Sequence, residues 1–150
     1  MANGSKFNND HKGKNILVAP LDWGLGHATR CIPIINELFR LNCKVYIVAD
    51  GPIFLLLERE FPHAVFLRRK GYEIRYHRHG KGLAFALVLQ IPKIIFRIIA
   101  EHRWLQRIVR DHQIGAVISD NRFGMYNRKI PCVYITHQLF IKTGNWLSEQ

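Results

Sequence analysis

Five short apolar runs separated by segments of helical spacing constrain this chain more than any other feature. The runs are NILVAP at 15–20, CKVYIVAD at 43–50, AVFLR at 64–68, GAVISD at 115–120 and IPCVYITH at 130–137. They are continuous rather than alternating, as expected of strands that are buried on both faces. Helices are predicted at 28–41, 51–61 and 83–111, the last as one helix or as two that meet near Pro92. We therefore predict an α/β fold: a Rossmann-like, doubly wound parallel sheet with helices on both faces.

The two ends of the chain differ from its middle. Residues 1–14, MANGSKFNNDHKGK, carry almost no apolar side chains, which is typical of a disordered leader. Residues 15–150 are the expected extent of one domain. The chain stops soon after the fifth apolar run without a convincing final helix, so we expect it to be part of a longer protein.

The turn after the first predicted strand, DWGLGHATR, has an unusual composition. Gly24 and Gly26 allow a tight turn and a close approach of a ligand. In a doubly wound sheet, ligands bind beyond the carboxyl ends of the strands, and the N–H groups at a helix start attract anions. His27 and Arg30 would then stand where a ligand is expected.

A dinucleotide site is one interpretation of this turn. The fingerprint G-x-G-x-x-G matches at Gly24 and Gly26 but has Thr29 in place of the third glycine. Asp50 ends the second predicted strand, where an acid that binds ribose would lie. The dinucleotide-binding domain of an oxidoreductase therefore stays open as an alternative.

The stretch DWGLGHATRCIPIINEL resembles the first strand, turn and helix of GT-B glycosyltransferases. The likeness is closest to glycosyltransferase family 28 and the lipid-linked N-acetylglucosaminyltransferases of peptidoglycan synthesis, with UDP-glycosyltransferases more distant. Gly24, Gly26, His27 and Pro33 match the pattern of these proteins. The segment VISDNRFG at 117–124 is similar to their strand-end aspartate segment.

The resemblance implies that this chain is the N-terminal, acceptor-side half of a GT-B fold. A second domain, absent from this chain, would hold most of the nucleotide-sugar donor, so the fragment alone is expected to be inactive. The implied acceptor is a hydroxyl or phosphate of a lipid-linked or otherwise membrane-presented molecule. No cofactor and no metal are expected, and the implied location is cytoplasmic, peripheral on the inner face of the cytoplasmic membrane.

The resemblance also implies roles for individual residues. His27 would be a general base or a group that orients the acceptor, because imidazole accepts protons near neutral pH. Asp120, at the end of the fourth predicted strand, would orient His27, since the first and fourth strands are neighbours in a 3-2-1-4-5 order. Asp22 is the rival partner. The further acceptor or phosphate ligands are expected to be Gly24, Gly26, Arg30, Arg122 and His137.

Positive charge is concentrated in one segment. The chain has a net charge of +11, and residues 68–110 contain eleven Lys and Arg but two Glu. The helix predicted there has a core stripe and a second apolar strip that is bordered by cations. The core stripe is Leu87, Ile91, Ile94, Ile98, Leu105 and Ile108. The second strip suggests contact with an anionic membrane through Phe85, Leu89, Lys93, Phe96, Arg97 and Arg103.

The basic segment has two further interpretations. The second apolar strip could pack on another domain. A basic nucleic-acid-binding module is an alternative, because GYEIRYHRHGKG at 71–82 mixes tyrosines with cations, but no recognised DNA or RNA motif accompanies it. The uncharged run from Leu83 to Pro92 is too short to span a bilayer.

Overall fold

The computed structural model describes residues 14–71 and 83–136, with the backbone alone for 83–90. The strands are β1 (Asn15–Ala19), β2 (Lys44–Ala49), β3 (Val65–Arg68), β4 (Ile114–Asp120) and β5 (Cys132–Ile135). The helices are α1 (Leu25–Arg40), α2 (Gly51–Glu60) and α3 (Leu83–Asp111). All strand pairs are parallel, and their order is β3-β2-β1-β4-β5. The predicted Rossmann-like parallel sheet and its strand order are confirmed.

The strands separate two hydrophobic cores because successive side chains point to opposite faces. Val18 and Ile47 face α1 and α2, where Ile35 and Leu57 complete the packing. On the other face the core is formed by strand residues together with α3 and the loop that follows β4. Its buried members are Leu17, Ala19, Tyr46, Val48, Leu105, Ile114, Val117 and Met125. Helices therefore cover both faces, as predicted.

Helix α1 begins three residues earlier than predicted, at Leu25 rather than at residue 28. Gly24 is its N-cap and has a φ of 80°, a left-handed conformation that favours glycine. Gly26 lies inside the helix. Apart from its chain neighbours and the backbone of its own helical turns, no atom lies within 4 Å of the position that a Cβ atom would take. The earlier start puts His27 in the first helical turn, directly beyond the end of β1.

Helix α3 is continuous through Pro92, so of the two predicted alternatives the single helix is the one observed. Among the side chains described in α3, those that join the sheet core lie in its C-terminal half, where Leu105 is fully buried and Trp104, Ile108 and Val109 pack beside it. Ile91, predicted to belong to the core, is exposed. The prediction was wrong there because the helical pattern marks an apolar face along the whole helix, and such a pattern does not tell which part of that face packs on the sheet.

Candidate functional site

His27 and Asp120 meet at the carboxyl edge of the sheet. His27 follows β1, Asp120 ends β4, and these strands are hydrogen-bonded neighbours with Ala19 opposite Ser119. The distance between His27 Nδ1 and Asp120 Oδ2 is 2.8 Å. Asp120 is almost fully buried, and its other carboxylate oxygen has no hydrogen-bond partner within the described ranges. The strand order thus brings together two residues that are 93 positions apart in the sequence.

The contact with Asp120 selects one form of the neutral imidazole. A carboxylate can only accept, so Nδ1–H donates to it and Nε2 keeps the lone pair. Arg30 Nη2 lies 3.4 Å from the same Nδ1, and Arg30 Nε lies 3.9 Å from Asp120 Oδ2. Because Nδ1 cannot donate and accept at once, we assign the shorter contact as the hydrogen bond. Arg30 then contributes positive charge beside the carboxylate.

The negative charge of Asp120 also affects a neighbouring thiol. The pKa of Cys31 is raised from its ordinary 9.0 to about 12, first because the thiol is buried and second because Asp120 repels the thiolate. Arg30 acts in the opposite direction. The pKa of Tyr134 is also raised, by burial and then by Asp120. This end of β4 is therefore an environment that disfavours additional negative charge.

His27 is largely buried at the sheet edge. Only 11% of its side chain is exposed, and its Nδ1 contacts Asp120 at the end of β4. Asp22, the rival partner, is engaged on another segment. Its carboxylate accepts a 2.8 Å hydrogen bond from the backbone N–H of Gly71, beyond β3. A Cβ atom at Gly71 would clash with the Asp22 carboxylate, so this contact favours glycine at that position.

Arg122 lies elsewhere than predicted. It is fully buried, and its Nε and Nη2 donate to Glu101 Oε1 of α3 at 2.9 and 2.5 Å. The backbone reverses at Asn121, whose φ is 55°, and Ser119 Oγ donates to the Arg122 carbonyl at 2.8 Å. This turn sends the guanidinium to the α3 face of the sheet. The prediction that Arg122 binds an acceptor phosphate at the rim is therefore wrong.

The sequence did contain a signal for this pair. Glu101 is the one acidic residue between positions 83 and 110, in a helix otherwise rich in cations and apolar side chains. A lone acid of this kind indicates a buried partner of opposite charge. Its partner could not be chosen from the many nearby arginines without the fold.

The remaining predicted site residues divide into three groups. His137 lies outside the described residues, as do the side chains of Phe85 and Leu89. Lys93, Phe96 and Arg103 are exposed on α3, and Phe96 is 71% accessible. Arg97 is only partly exposed, because its Nη1 donates to the Gly71 carbonyl at 2.9 Å.

The outer surface of α3 is apolar over more than one turn. We call Ile91, Ile95, Phe96 and Ile99, all exposed, the apolar strip of α3. Ile95 was not among the residues predicted for this surface. In the described part of the chain, no helix combines the length and the apolar character needed to cross a bilayer.

Comparisons with known proteins agree with the fold. No model of a known protein family matches the chain, and no curated protein has a detectably similar sequence. Among solved structures, the chain is similar to MurG of Acinetobacter baumannii, with a TM-score of 0.56 and 19% sequence identity. The match covers 81% of this chain and 34% of that one. The chain therefore has a MurG-like fold and spans about a third of the length of that structure.

Proposed function

We propose that this chain is the acceptor-side domain of a GT-B glycosyltransferase. It would act in the transfer of a sugar from a nucleotide sugar to a hydroxyl or phosphate of a membrane-associated acceptor. The observation that carries the proposal is the hydrogen-bonded His27–Asp120 pair, which lies beyond the ends of two adjacent parallel strands. The MurG-like fold and the GLGH turn support the same interpretation.

The chemistry that we assign to the pair is proton removal from the acceptor. As an acceptor hydroxyl oxygen forms its bond to the sugar, Nε2 of His27 takes the hydroxyl proton, and the nucleotide diphosphate leaves with the bonding electrons. Asp120 holds the ring in the required tautomer and stabilises the imidazolium that forms. For a phosphate acceptor, which needs no base, an imidazolium already present at His27 would instead orient the phosphate through Nε2–H.

The turn before His27 would hold the acceptor. The first N–H groups of α1, beyond Gly24, attract anions through their unpaired donors and the helix dipole. Arg30, on the same turn and partly exposed, adds a guanidinium that can bind phosphate oxygens. The open space above Gly26 leaves room for such a group near the backbone.

We further propose that a second domain supplies most of the nucleotide-sugar site. The match to about a third of the MurG chain supports this, because a GT-B reaction takes place between two domains. The fragment alone would then be inactive, and no cofactor or metal is assigned to it.

The apolar strip of α3 is the surface that we propose for membrane contact. Lys93 and Arg103 border it, and each basic residue near an anionic surface contributes about 1 kcal/mol of attraction. The exposed phenyl ring of Phe96 would enter the interfacial region. Such attachment is reversible and would place the protein on the inner face of the cytoplasmic membrane.

The catalytic proposal is tested by His27→Ala in the full-length protein, with His63→Ala as the matched control. His63 is an exposed histidine in the turn before β3. We expect His27→Ala to reduce sugar transfer about 100-fold or more, while His63→Ala retains full transfer. Unchanged transfer by His27→Ala would remove His27 from the mechanism. A rise in melting temperature with NAD or NADP would instead favour the dinucleotide alternative.

Membrane contact is tested by vesicle sedimentation of Phe96→Ser, with Leu55→Ser as the control. Leu55 is an equally apolar, exposed residue of α2, which covers the opposite face of the sheet. We expect Phe96→Ser to reduce binding to vesicles that contain phosphatidylglycerol and Leu55→Ser to leave it unchanged. Equal binding by both variants would show that the apolar strip does not face the membrane.

A further inference from the structure

A concave surface lies at the carboxyl edge of the sheet, beyond the end of β3. It is a cleft of about 170 Å³ between the residues that follow β3 and one side of α3. Its lining residues are Arg69, Lys70, Gly71, Arg97, Ala100 and Glu101. A water molecule occupies roughly 30 Å³ of liquid, so the cleft has room for a group with several oxygen atoms. Neither His27 nor Asp120 is among the described residues that line it.

Two of the cations in this cleft are held in place by other groups. The Arg69 guanidinium lies over the Trp104 ring, 4.9 Å from its centroid. Arg97 is oriented by its hydrogen bond to the Gly71 carbonyl, and Gly71 is tied in turn to Asp22. Side chains that are already oriented lose less conformational freedom when they bind a ligand.

The acid in the lining is neutralised from inside the protein. Glu101 is buried and bound to the buried guanidinium of Arg122, which does not line the cleft. The charge of Glu101 is therefore balanced before any ligand arrives. Among the described lining residues, Arg69, Lys70 and Arg97 carry the positive charge of the cleft.

We propose that this cleft is a binding site for a phosphate-class anion, separate from the His27–Asp120 pair. Two guanidinium groups offer planar sets of N–H donors that match phosphate oxygens, and Lys70 adds a compact positive charge. The phosphate group could be part of a lipid headgroup or of a soluble phosphate or diphosphate. This assignment does not depend on sugar transfer, and it gives Arg97 a role other than membrane contact through an exposed side chain.

The test is a calorimetric titration with inorganic pyrophosphate at constant ionic strength. The variants are Lys70→Gln and Arg97→Gln, and the matched control is Arg107→Gln, which removes an exposed charge of α3 outside the cleft. We expect saturable binding that each cleft variant weakens about five- to tenfold, while Arg107→Gln changes it less than twofold. The indole N–H resonance of Trp104, identified with Trp104→Phe, should shift on binding because Arg69 lies over that ring.

Two results would overturn the proposal. One is the absence of saturable pyrophosphate binding. The other is an equal loss in Arg107→Gln and in the cleft variants, which would indicate a diffuse charge effect. His27→Ala should retain the pyrophosphate binding that Lys70→Gln and Arg97→Gln weaken, so a failure of the catalytic proposal is distinguishable from a failure of this one.

A vesicle experiment identifies the source of the phosphate. If pyrophosphate displaces the protein from phosphatidylglycerol vesicles, and Lys70→Gln releases it more than Arg107→Gln does, the cleft binds lipid headgroups. If pyrophosphate binds in the cleft while both variants keep equal vesicle binding, the site serves a soluble phosphate. Both results support an anion site and differ only in its occupant.

Discussion

Asp120 and Arg122 are two residues apart, yet they form charged pairs on opposite sides of the sheet. Asp120 contacts His27 on the α1 side, with 11% of the histidine side chain exposed. Arg122 contacts Glu101 on the α3 side, and both side chains are sealed from solvent. The first pair contains a group that can exchange a proton with a bound molecule. The second contains two charges that are bound to each other and almost fully buried.

This difference separates a chemical role from a structural one. The Arg122–Glu101 pair joins the turn after β4 to α3 and keeps both charges compensated. The His27–Asp120 pair leaves one carboxylate oxygen without a described partner and keeps the ring at the sheet edge. Two pairs of charged or titratable residues near the end of β4 therefore have different roles. The fully buried pair is structural, and the pair with a partly exposed histidine can take part in chemistry.

The largest stability effect is expected at the sealed pair. Arg122→Met leaves the Glu101 carboxylate buried without its partner, and breaking such a pair costs about 3–5 kcal/mol in the free energy of unfolding. Urea denaturation measures this loss. The double variant Arg122→Met, Glu101→Leu should recover most of it, because no uncompensated charge remains. A double variant as unstable as the single one would show that the pair is not the source of the effect.

A smaller effect is expected at the other pair. His27→Ala deprives buried Asp120 of its hydrogen-bond donor, which costs about 1–3 kcal/mol, and the nearby Arg30 guanidinium compensates part of the charge. The same denaturation experiment should therefore rank His27→Ala below Arg122→Met in lost stability. The reverse order would mean that the histidine is the more important structural group.

The charge of Asp120 should be measurable through Cys31. Its raised pKa, about 12, keeps the thiol protonated and unreactive at pH 8. Because the folded-state pKa lies above the ordinary 9.0, the stabilising contribution of this thiol is complete below pH 9 and is lost as the pH rises toward 12. Asp120→Asn should lower the Cys31 pKa by removing a negative charge. The pH dependence of Cys31 alkylation, measured by peptide mass spectrometry, gives this pKa in the wild type and in Asp120→Asn. Identical profiles would contradict the prediction.

The smallest effect is expected at an exposed ion pair. Arg40 donates two hydrogen bonds to Glu37 on the outer surface of α1. Solvent screens exposed pairs strongly, so Glu37→Gln should change the free energy of unfolding by no more than the error of a urea titration. A clear loss there would show that geometry alone, without burial, makes an ion pair stabilising in this protein.

Sequence reasoning recovered most of the fold because strands and helices differ in hydrophobic period. The apolar runs located all five described strands, and their continuity indicated a parallel sheet covered on both faces. The same reasoning did not reveal that Cys132 of β5 is exposed, and it wrongly assigned Ile91 of α3 to the core. Both residues lie in apolar segments, and the hydrophobic pattern does not show which residues of such a segment are buried in the core.

Only part of the candidate functional surface could be predicted from the sequence, because part of it is formed by residues that carry no motif. His27 and Asp120 were identifiable because both lie where parallel strands end, and neighbouring strands bring such ends together. The cleft of Arg69, Lys70 and Arg97 carried no motif, since its lining comes from a loop and from the middle of a helix.

The sequence alone determined the element order, the parallel pairing and the edge of the sheet at which chemistry is expected, because local hydrophobic period and turn residues encode them. Only the tertiary structure decided between Asp120 and Asp22 as the partner of His27, and only it placed Arg122, two residues after Asp120, against a buried glutamate. A left-handed residue at Asn121 directs the side chains of Asp120 and Arg122 to opposite faces. The direction of each side chain depends on the partner that lies on that face of the sheet. Local sequence does not encode these contacts, because they join segments that are far apart in the chain.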